Sequence, residues 1–345
     1  VKYQGHGLLW PIIARNKLSV TLNLRVGDGQ AILKRLVDTT DVLVENFRPG
    51  TLEKWGLGPD VLMAINPRLV IVRVSGYGQT GPESHKPGYA SVGEAKAGLR
   101  HLIGEPDRPP ARAGVSLGDT MTGTFAALGA MMALFHREKS GRGQVVDAAI
   151  YESVMAFMES LIPEYALGGH TRQRSGGILP KVAPSGAYPC ADGMVIIGAN
   201  QDTLFARLAK MMNKDWASDP RYATHDARGE NQAELDEMIS AWTSYRTMSD
   251  VVRTCEANAI PCGPVNTAKD MLEDSHMKAR QAIVSLMSPE MGREVPMQGP
   301  VPKLSRTPAS IKATGPRLGQ HTDEILDKIG IGSDERFQLR QANVI

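Results

Sequence analysis

The amino-acid sequence predicts an α/β protein, with a large domain built on a parallel sheet and a smaller α+β domain. Strand-like and helix-like segments alternate over the first 150 residues, which is typical of a parallel sheet. Beyond residue 185 the pattern changes to one hairpin followed by helices. The length of 345 residues, of which 42% are hydrophobic, is sufficient for two domains.

The first half supports the parallel sheet because short apolar runs are separated by segments with helical spacing. Residues 19–24 alternate apolar and polar side chains, whereas residues 42–45 and 69–75 are mainly apolar. Strands are predicted at residues 19–24, 42–45, 69–75 and 144–149. Helices are predicted at residues 30–37, 50–55, 59–65, 119–138 and 151–166, with residues 27–29 forming a turn before the first helix.

The second half predicts a different architecture. Asp192-Gly193 lies between two strand-like segments and indicates a hairpin of residues 187–190 and 194–197. Helices are predicted at residues 202–212, 231–243, 249–258, 268–275 and 319–329, the last capped by Thr322. Stretches rich in Gly and Pro predict two linkers. The predicted order is a large domain 1–166, a linker 167–185, a small domain 186–287, a linker 288–314 and a segment 315–345 that returns to the large domain.

Composition excludes several classes of function. The net charge is +2 without a run of like charges, so neither nucleic acid nor a membrane surface is an expected partner. The three cysteines lack CxxC or Cys/His spacing, which predicts reduced thiols, a cytoplasmic location and no metal site. No apolar run is long enough to predict a membrane span.

Two familiar motifs occur without the structural context that their functions need. Residues 76–81 spell GxGxxG after a strand, but Pro82 follows and no helix is predicted to receive a pyrophosphate. Residues 114–118 spell GxSxG, but the preceding segment is polar and rich in Pro, so the strand of a nucleophile elbow is missing. Neither a dinucleotide site nor a serine hydrolase is therefore expected.

Asp119 follows Gly118 at the start of the longest predicted helix. Free backbone N–H groups and the helix dipole favour an ionised carboxylate at such a position. The flanking glycine allows a ligand to approach closely. The pattern is compatible with a helix cap and with a nucleophile, and by itself it leaves both interpretations open.

Asn46, Phe47 and Arg48 follow the predicted strand 42–45, on the usual ligand side of an open α/β sheet. An amide, an aromatic ring and a guanidinium can stack on a base and hold phosphate there. A strand-to-helix turn with Phe47 in the core is the alternative. Lys17 and Lys86 are each candidates for a phosphate contact or for solvated surface cations.

A series of motifs follows one order along almost the entire chain. They are residues 16–20 (NKLSV), 41–50 (DVLVENFRPG), 75–82 (SGYGQTGP), 118–119 (GD), 140–147 (SGRGQVVD), 260–266 (IPCGPVN) and 318–321 (LGQH). Together they resemble the class III CoA-transferase family, which includes formyl-CoA transferase, carnitine CoA-transferase and the α-methylacyl-CoA racemases.

The resemblance implies that Asp119 is catalytic and that acyl-CoA is a substrate, with no tightly bound cofactor and no metal. It places Tyr89 in an active-site segment. The residues expected at the CoA site are Asn46, Phe47, Arg48, Lys17, Lys86 and Tyr89. The residues expected in the active-site loops are Gly118, Gly176 and Gly177, the last two matching a glycine loop that closes over the intermediate.

The family fold implies a large Rossmann-like domain and a small domain joined by two long linkers, with two copies interlocked in a homodimer. Relatives begin with an additional strand–helix unit that contributes to the adenosine and phosphate site, and this sequence starts after it. Ala90 follows Tyr89 where relatives often carry an acid, which is expected to alter the acceptor pocket.

The implied reaction moves CoA from an acyl-CoA to a free carboxylic acid through aspartyl anhydride and thioester intermediates. The motifs are closest to the branch that uses succinyl-CoA and short dicarboxylates, and Arg112 or Lys181 is a candidate for the second carboxylate. A racemase is the first alternative, disfavoured because residues 86–90 lack a Gly-His-Asp motif, although His85 is nearby. A non-catalytic CoA-binding homologue is the second.

Overall fold

The computed structural model describes residues Val1–Ile345 and contains ten strands and seventeen helices. The strands are β1 Lys2–Tyr3, β2 His6–Gly7, β3 Val42–Glu45, β4 Val70–Ser75, β5 Val145–Ala149, β6 Ser185–Cys190, β7 Gly193–Gly198, β8 Cys262–Pro264, β9 Ile283–Ser288 and β10 Arg293–Gln298. The helices are α1 Trp10–Ile13, α2 Gly27–Val37, α3 Thr51–Lys54, α4 Pro59–Ile65, α5 Ala90–Lys96, α6 Leu99–Leu102, α7 Leu117–Ser140, α8 Ile150–Met155, α9 Leu161–Gly168, α10 Asp202–Met211, α11 His225–Glu230, α12 Gln232–Thr243, α13 Met248–Ala257, α14 Ala268–Glu273, α15 Ser275–Ala279, α16 Thr322–Lys328 and α17 Ser333–Gln341.

The chain forms two compact units, and each is made of separate stretches of sequence. The first unit comprises Val1–Gly93, Gly118–Ser153 and Ala268–Ile345. The second unit comprises Glu94–Leu117 and Val154–Thr267. The predicted linkers at 167–185 and 288–314 remain predictions.

The first unit is built on a parallel sheet in the order β3-β4-β5. Alternate residues of β4 face opposite sides of this sheet. Val70 and Val72 pack with Ala126 and Ala133 of α7, whereas Ile71 belongs to the core on the other face. The predicted α/β fold is confirmed, and the three strands of this sheet lie within one residue of their predicted bounds.

The second unit contains an antiparallel sheet in the order β6-β7-β8, and the predicted hairpin is confirmed in β6 and β7. Asp192 Oδ1 accepts the backbone N–H of Met248 at 2.7 Å, which ties the hairpin turn to the start of α13. The core of this unit is apolar and closely packed. Its fully buried members include Tyr188, Val195, Ile197, Phe205, Leu208, Leu235, Ile239 and Val251.

Residues 19–24 do not form a strand, so that prediction is wrong. Their backbone groups bond singly to the C-terminal part of the chain instead of forming a ladder. The N–H of Thr21 donates to Thr322 Oγ1 at 3.0 Å, and the N–H of Asn23 donates to the carbonyl of Val344 at 2.8 Å. Thr322 is the first residue of α16 and not its N-cap, so its predicted capping role is also wrong.

Two predicted helices are interrupted in the structure. Residues 151–166 correspond to α8 and α9, and residues 268–275 reach into α14 and α15. Asp274 follows the last residue of α14 and is the N-cap of α15. Its Oδ1 accepts the N–H of Met277 at 2.6 Å. The β9–β10 hairpin lies in the first unit, with β10 inside the stretch 288–314. No helix combines the length and the apolar character that crossing a membrane requires.

Gly29 lies in the first turn of α2, where the sequence predicted a separate turn. A Cβ atom on Gly29 would lie 2.0 Å from the backbone oxygen of Asn23, whereas one on Gly27 would meet nothing within 4 Å. Because a backbone atom cannot move aside cheaply, we expect Gly29→Ala to lower the free energy of unfolding by about 1–3 kcal/mol. Gly27→Ala is the matched control and should melt with the wild type in thermal unfolding. Equal melting temperatures for the two variants would contradict this packing.

Candidate active site

The carboxyl ends of β3 and β4 lie at the same edge of the sheet because the strands are parallel. The turn that follows β3 carries Asn46, Phe47 and Arg48, and all three side chains are exposed. The segment that follows β4 spans residues 76–89 and ends at Tyr89, directly before α5. The fold therefore brings these two predicted segments to one edge, which is the ligand side of open α/β sheets.

Helix α7 brings Asp119 to this same edge. Near the C-terminal end of the helix, Arg137 donates to the carbonyl of Arg68 and pairs with Asp41. Arg68 lies just before the start of β4, and Asp41 lies just before the start of β3. Midway along the helix, a Cβ on Gly129 would touch Val146 of β5 at 2.7 Å. The helix therefore runs antiparallel to the strands. Ten residues of helix rise about 15 Å, so Asp119 lies well toward the carboxyl edge.

Asp119 is the third residue of α7, and its side chain is exposed. It does not occupy the N-cap position, which precedes the first helical residue. Gly118 is buried, and its carbonyl accepts the hydroxyl of Thr122 at 2.7 Å. The carboxylate is thus presented at the positive end of a long helix, on a backbone that is held in place.

The turn after β3 is held by three charged side chains, of which Arg73 and Glu45 are buried and Glu53 is 43% exposed. Arg73 of β4 donates from Nε to Glu45 Oε1 at 2.7 Å and from two other nitrogens to the Glu53 carboxylate at 2.7 and 3.3 Å. The other oxygen of Glu45 accepts the N–H of Phe47 at 2.7 Å. The Phe47 ring lies edge-on to Trp55 with centroids 5.2 Å apart, yet the side chain is 40% exposed. Placement of Phe47 in the core is therefore wrong.

These contacts also shift the pKa values of Glu53 and Arg73. Burial by itself would raise the pKa of Glu53, but the hydrogen bonds and charge of Arg73 hold it below its usual value. Burial would likewise lower the pKa of Arg73, and the carboxylates of Glu53 and Glu45 raise it instead. Glu53 and Arg73 are therefore charged together at neutral pH.

The segment after β4 is folded back on itself by two glycines. A Cβ on Gly76 would lie 2.5 Å from the Cα of Gly88, so the two backbones touch and only glycine fits. The N–H of Gln79 donates to Asp147 Oδ2 at 2.8 Å, which anchors the segment to β5. No helix begins within residues 76–89, as the sequence predicts for the GxGxxG segment. Tyr89 follows this fold and is 71% exposed.

The predicted basic residues lie in different surroundings. Lys86 is exposed and pairs with Glu83 at 2.7 Å. Lys17 donates to the carbonyl of Ile13 at 2.7 Å and lines a cleft of about 670 Å³. Asn16, Leu18 and residues from the C-terminal part of the chain line the rest of that cleft, the latter including Lys312, Arg317, Gln320 and His321. Of the predicted site residues, Lys17 is the one that lines this cleft.

Gly176 and Gly177 belong to the second unit. The N–H of Gly176 donates to the carbonyl of Gly104 at 3.0 Å, and its φ of 63° is in the left-handed region. A Cβ on Gly176 would lie 2.5 Å from the carboxylate of Glu105. The left-handed conformation therefore favours glycine at this position, whereas the flexible Glu105 side chain could move aside.

Sequence reasoning missed the cluster of Glu45, Arg73 and Glu53. A signal was present, because Arg73 interrupts the otherwise apolar run of residues 69–74 (LVIVRV). A charged residue inside a buried strand is rare unless it is paired. Within the chain as described, no group of three or more His, Cys, Asp or Glu side chains is arranged to hold a metal ion.

Comparison with known proteins identifies the family. The profile of CoA-transferase family III matches residues 1–322. The chain is 53% identical to succinyl-CoA–D-citramalate CoA-transferase of Chloroflexus aurantiacus, over 100% of this chain and 86% of that protein. It is 43% identical to the β subunit of succinyl-CoA–L-malate CoA-transferase of the same organism, over 99% of this chain and 86% of the subunit.

A solved structure has the same fold. The crystal structure of a CAIB/BAIF family protein from Brucella suis superimposes with a TM-score of 0.83 at 29% identity, covering 95% of this chain and 86% of that one. The resemblance inferred from the motifs is confirmed, as is the assignment to an enzyme class that transfers CoA. The chain belongs to CoA-transferase family III.

Proposed function

We propose that this enzyme transfers CoA from succinyl-CoA to a short dicarboxylic acid, with Asp119 as the temporary acyl carrier. The observation that carries the proposal is the exposed carboxylate of Asp119 in the first turn of α7, at the sheet edge shared with Asn46–Arg48. The substrates are proposed from the names of the relatives, which are succinyl-CoA transferases for D-citramalate, L-malate and, at 32% identity in Mus musculus, glutarate.

The proposed reaction proceeds through two kinds of acyl-aspartate. The Asp119 carboxylate attacks the thioester carbonyl, which forms a mixed anhydride and releases CoA thiolate. The thiolate attacks the aspartyl carbonyl, which forms an aspartyl-CoA thioester and releases the donor acid. The acceptor carboxylate then attacks that thioester, and the released thiolate takes the acceptor acyl group from the second anhydride. Asp119 is regenerated as the free carboxylate.

A carboxylate nucleophile suits this exchange because each intermediate remains an activated acyl group. The energy of the donor thioester is therefore conserved in the product thioester, and no nucleotide triphosphate is consumed. Each attack creates a negatively charged oxygen next to Asp119. The positive end of the α7 dipole favours negative charge at this place.

We propose that Asn46, Phe47 and Arg48 contact the CoA moiety. The exposed ring of Phe47 offers a face to the adenine, and the exposed guanidinium of Arg48 offers donors to phosphate. Lys86 can exchange its surface partner Glu83 for a phosphate at little cost, since such pairs contribute about 0–1 kcal/mol. Tyr89 ends the adjoining segment. Roles for Lys17, Gly176 and Gly177 remain predictions.

We further propose that the enzyme is an interlocked homodimer, in which α7 supplies part of the contact. An apolar stripe at helical spacing runs along the solvent side of this helix. Its exposed members are Leu128, Met131, Met132 and Phe135. A continuous exposed apolar stripe of this kind marks an interaction surface. The α and β subunits of succinyl-CoA–L-malate CoA-transferase are 38% and 43% identical to this chain, so both resemble it. A second copy of this chain is therefore the partner to test first, and a related but different chain is the alternative.

Asp119→Ala should reduce succinyl-CoA transfer by about 10³-fold or more, because the acyl carrier is lost. The variant should fold normally since the side chain is exposed. Asp334→Ala is the matched control, an exposed carboxylate in the first turn of α17. Mass spectrometry of wild-type enzyme incubated with succinyl-CoA should find CoA attached at Asp119. Undiminished turnover by Asp119→Ala would remove this mechanism.

Short dicarboxylates should be better acceptors than monocarboxylates of similar length. The test is a panel of D-citramalate, L-malate, mesaconate and glutarate against acetate and butyrate, with succinyl-CoA as donor and chromatography of the product thioesters. We expect kcat/KM to be at least about tenfold higher for one or more dicarboxylates, which corresponds to about 1.4 kcal/mol of transition-state binding. Equal values for acids of both classes would contradict the proposed substrate class.

The wild-type enzyme should have twice the chain mass in light scattering coupled to size-exclusion chromatography. Met131→Glu combined with Phe135→Glu should shift the enzyme toward the monomer, because burying two carboxylates in an apolar contact is costly. Ala127→Glu, at another exposed position of the same helix, is the control for added charge. A monomeric wild-type enzyme would refute the homodimer, and an unchanged dimer in the double variant would remove α7 from the contact.

A further inference from the structure

We propose that Arg73 is a positioning residue, and that its cluster with Glu45 and Glu53 sets the affinity for acyl-CoA. The cluster would act by fixing the turn of Asn46, Phe47 and Arg48, and none of its three members would touch the substrate. This inference rests on the proposed function to the extent that the turn binds CoA. Its structural part, the fixing of the turn, can be measured separately.

Arg73 binds one carboxylate that precedes the turn and one that follows it. Glu45 is the last residue of β3 and pairs in register with Arg73. Glu53 lies in α3, the helix that begins directly after the turn. Both carboxylates are bound by one guanidinium, with the closest contacts at 2.7 Å. Because the strand before the turn and the helix after it share this partner, their separation and direction are fixed.

The cluster also reaches the backbone of the turn itself. The Glu45 oxygen that is not bound to Arg73 accepts the N–H of Phe47 at 2.7 Å. A carboxylate that is already oriented by a guanidinium is a rigid acceptor, and charged hydrogen bonds of this type are short and strong. Gly50, with φ of 83°, lets the chain leave the turn in the left-handed region and enter α3.

Stability alone does not account for the cluster. Side chains of Arg73 and Glu45 are only 7% and 3% exposed. Removing such charges from water is unfavourable, and apolar residues of similar volume usually stabilise a fold as well or better. An apolar residue would also continue the pattern of β4. The contacts of Arg73 are all with carboxylates that flank the turn, which points to a role in its geometry.

The location of Arg73 predicts an effect on the affinity for acyl-CoA and little effect on the acyl-transfer steps. Val70 and Val72 face α7, whereas residues 71 and 73 alternate to the other face of β4. Arg73 therefore lies on the face opposite the helix that carries Asp119. Loosening the turn should weaken CoA binding and leave the acyl-transfer steps of bound substrate largely unchanged.

Arg73→Met tests this proposal, and Arg137→Met is the matched control. Arg137 is also a buried arginine of the first unit, 9% exposed, but it binds Asp41 and the carbonyl of Arg68 at the opposite edge of the sheet. We expect Arg73→Met to raise KM for succinyl-CoA by about tenfold or more with kcat within about twofold, as when a positioning group is lost. Both variants should lower the melting temperature, and Arg137→Met should leave KM unchanged.

Hydrogen exchange measures the turn directly. Amides of residues 46–48 and of Gly50 should exchange faster in Arg73→Met than in the wild type, and at the wild-type rate in Arg137→Met. If Arg73→Met does not fold, Glu45→Gln keeps the shape and removes one charge, and a smaller change in the same direction is expected. Unchanged KM and unchanged exchange of these amides in either folded Arg73 or Glu45 variant would overturn the proposal.

Failure of the proposed function gives a different result. A wild-type enzyme without succinyl-CoA transfer would refute the proposed reaction, and calorimetric titration with CoA alone would then replace KM as the measure of affinity. Weaker CoA binding and faster exchange in Arg73→Met would still support the positioning role. CoA binding of wild-type strength in that variant would count against it whatever the reaction.

Discussion

The direction of the three strands constrains everything else in the first unit. Because β3, β4 and β5 are parallel, the segments that follow them emerge at one edge, and α7 must run back along the sheet. A helix that returns in this way begins at the carboxyl edge, with its positive end there. The long helix therefore delivers Asp119 and a favourable dipole to the same place. The position of Asp119 at this edge therefore follows from the direction of the strands, before any side-chain contact is considered.

Local patterns predicted the elements that local contacts hold. The strand Val42–Glu45 and the helix Pro59–Ile65 have the predicted bounds, since their spacing and flanking glycine or proline residues determine them. Residues 19–24 have the alternation of a strand, but their hydrogen bonds go to residues about three hundred positions away. No pattern in a short window contains that information.

The predicted site residues show the same division. Asn46, Phe47, Arg48 and Asp119 were predicted because each stands at the end or start of a predicted element, and the structure exposes all four. The cluster of Glu45, Arg73 and Glu53 was not identified, because its members lie in three separate elements. Pairing between elements depends on register, and a register of Glu45 opposite Arg73 appears only when the sheet is assembled.

The two carboxylates at the sheet edge, Glu45 and Asp119, have different surroundings, which favour different roles. Glu45 is enclosed, and both of its carboxylate oxygens accept hydrogen bonds. It is therefore fixed in position and is a poor nucleophile. Asp119 is exposed in the first turn of α7. A carboxylate must be reachable by a thioester carbonyl to carry an acyl group, and it must remain ionised to attack. Of these two carboxylates, Asp119 is the exposed one, and we therefore propose it as the acyl carrier and Glu45 as a support of the neighbouring turn.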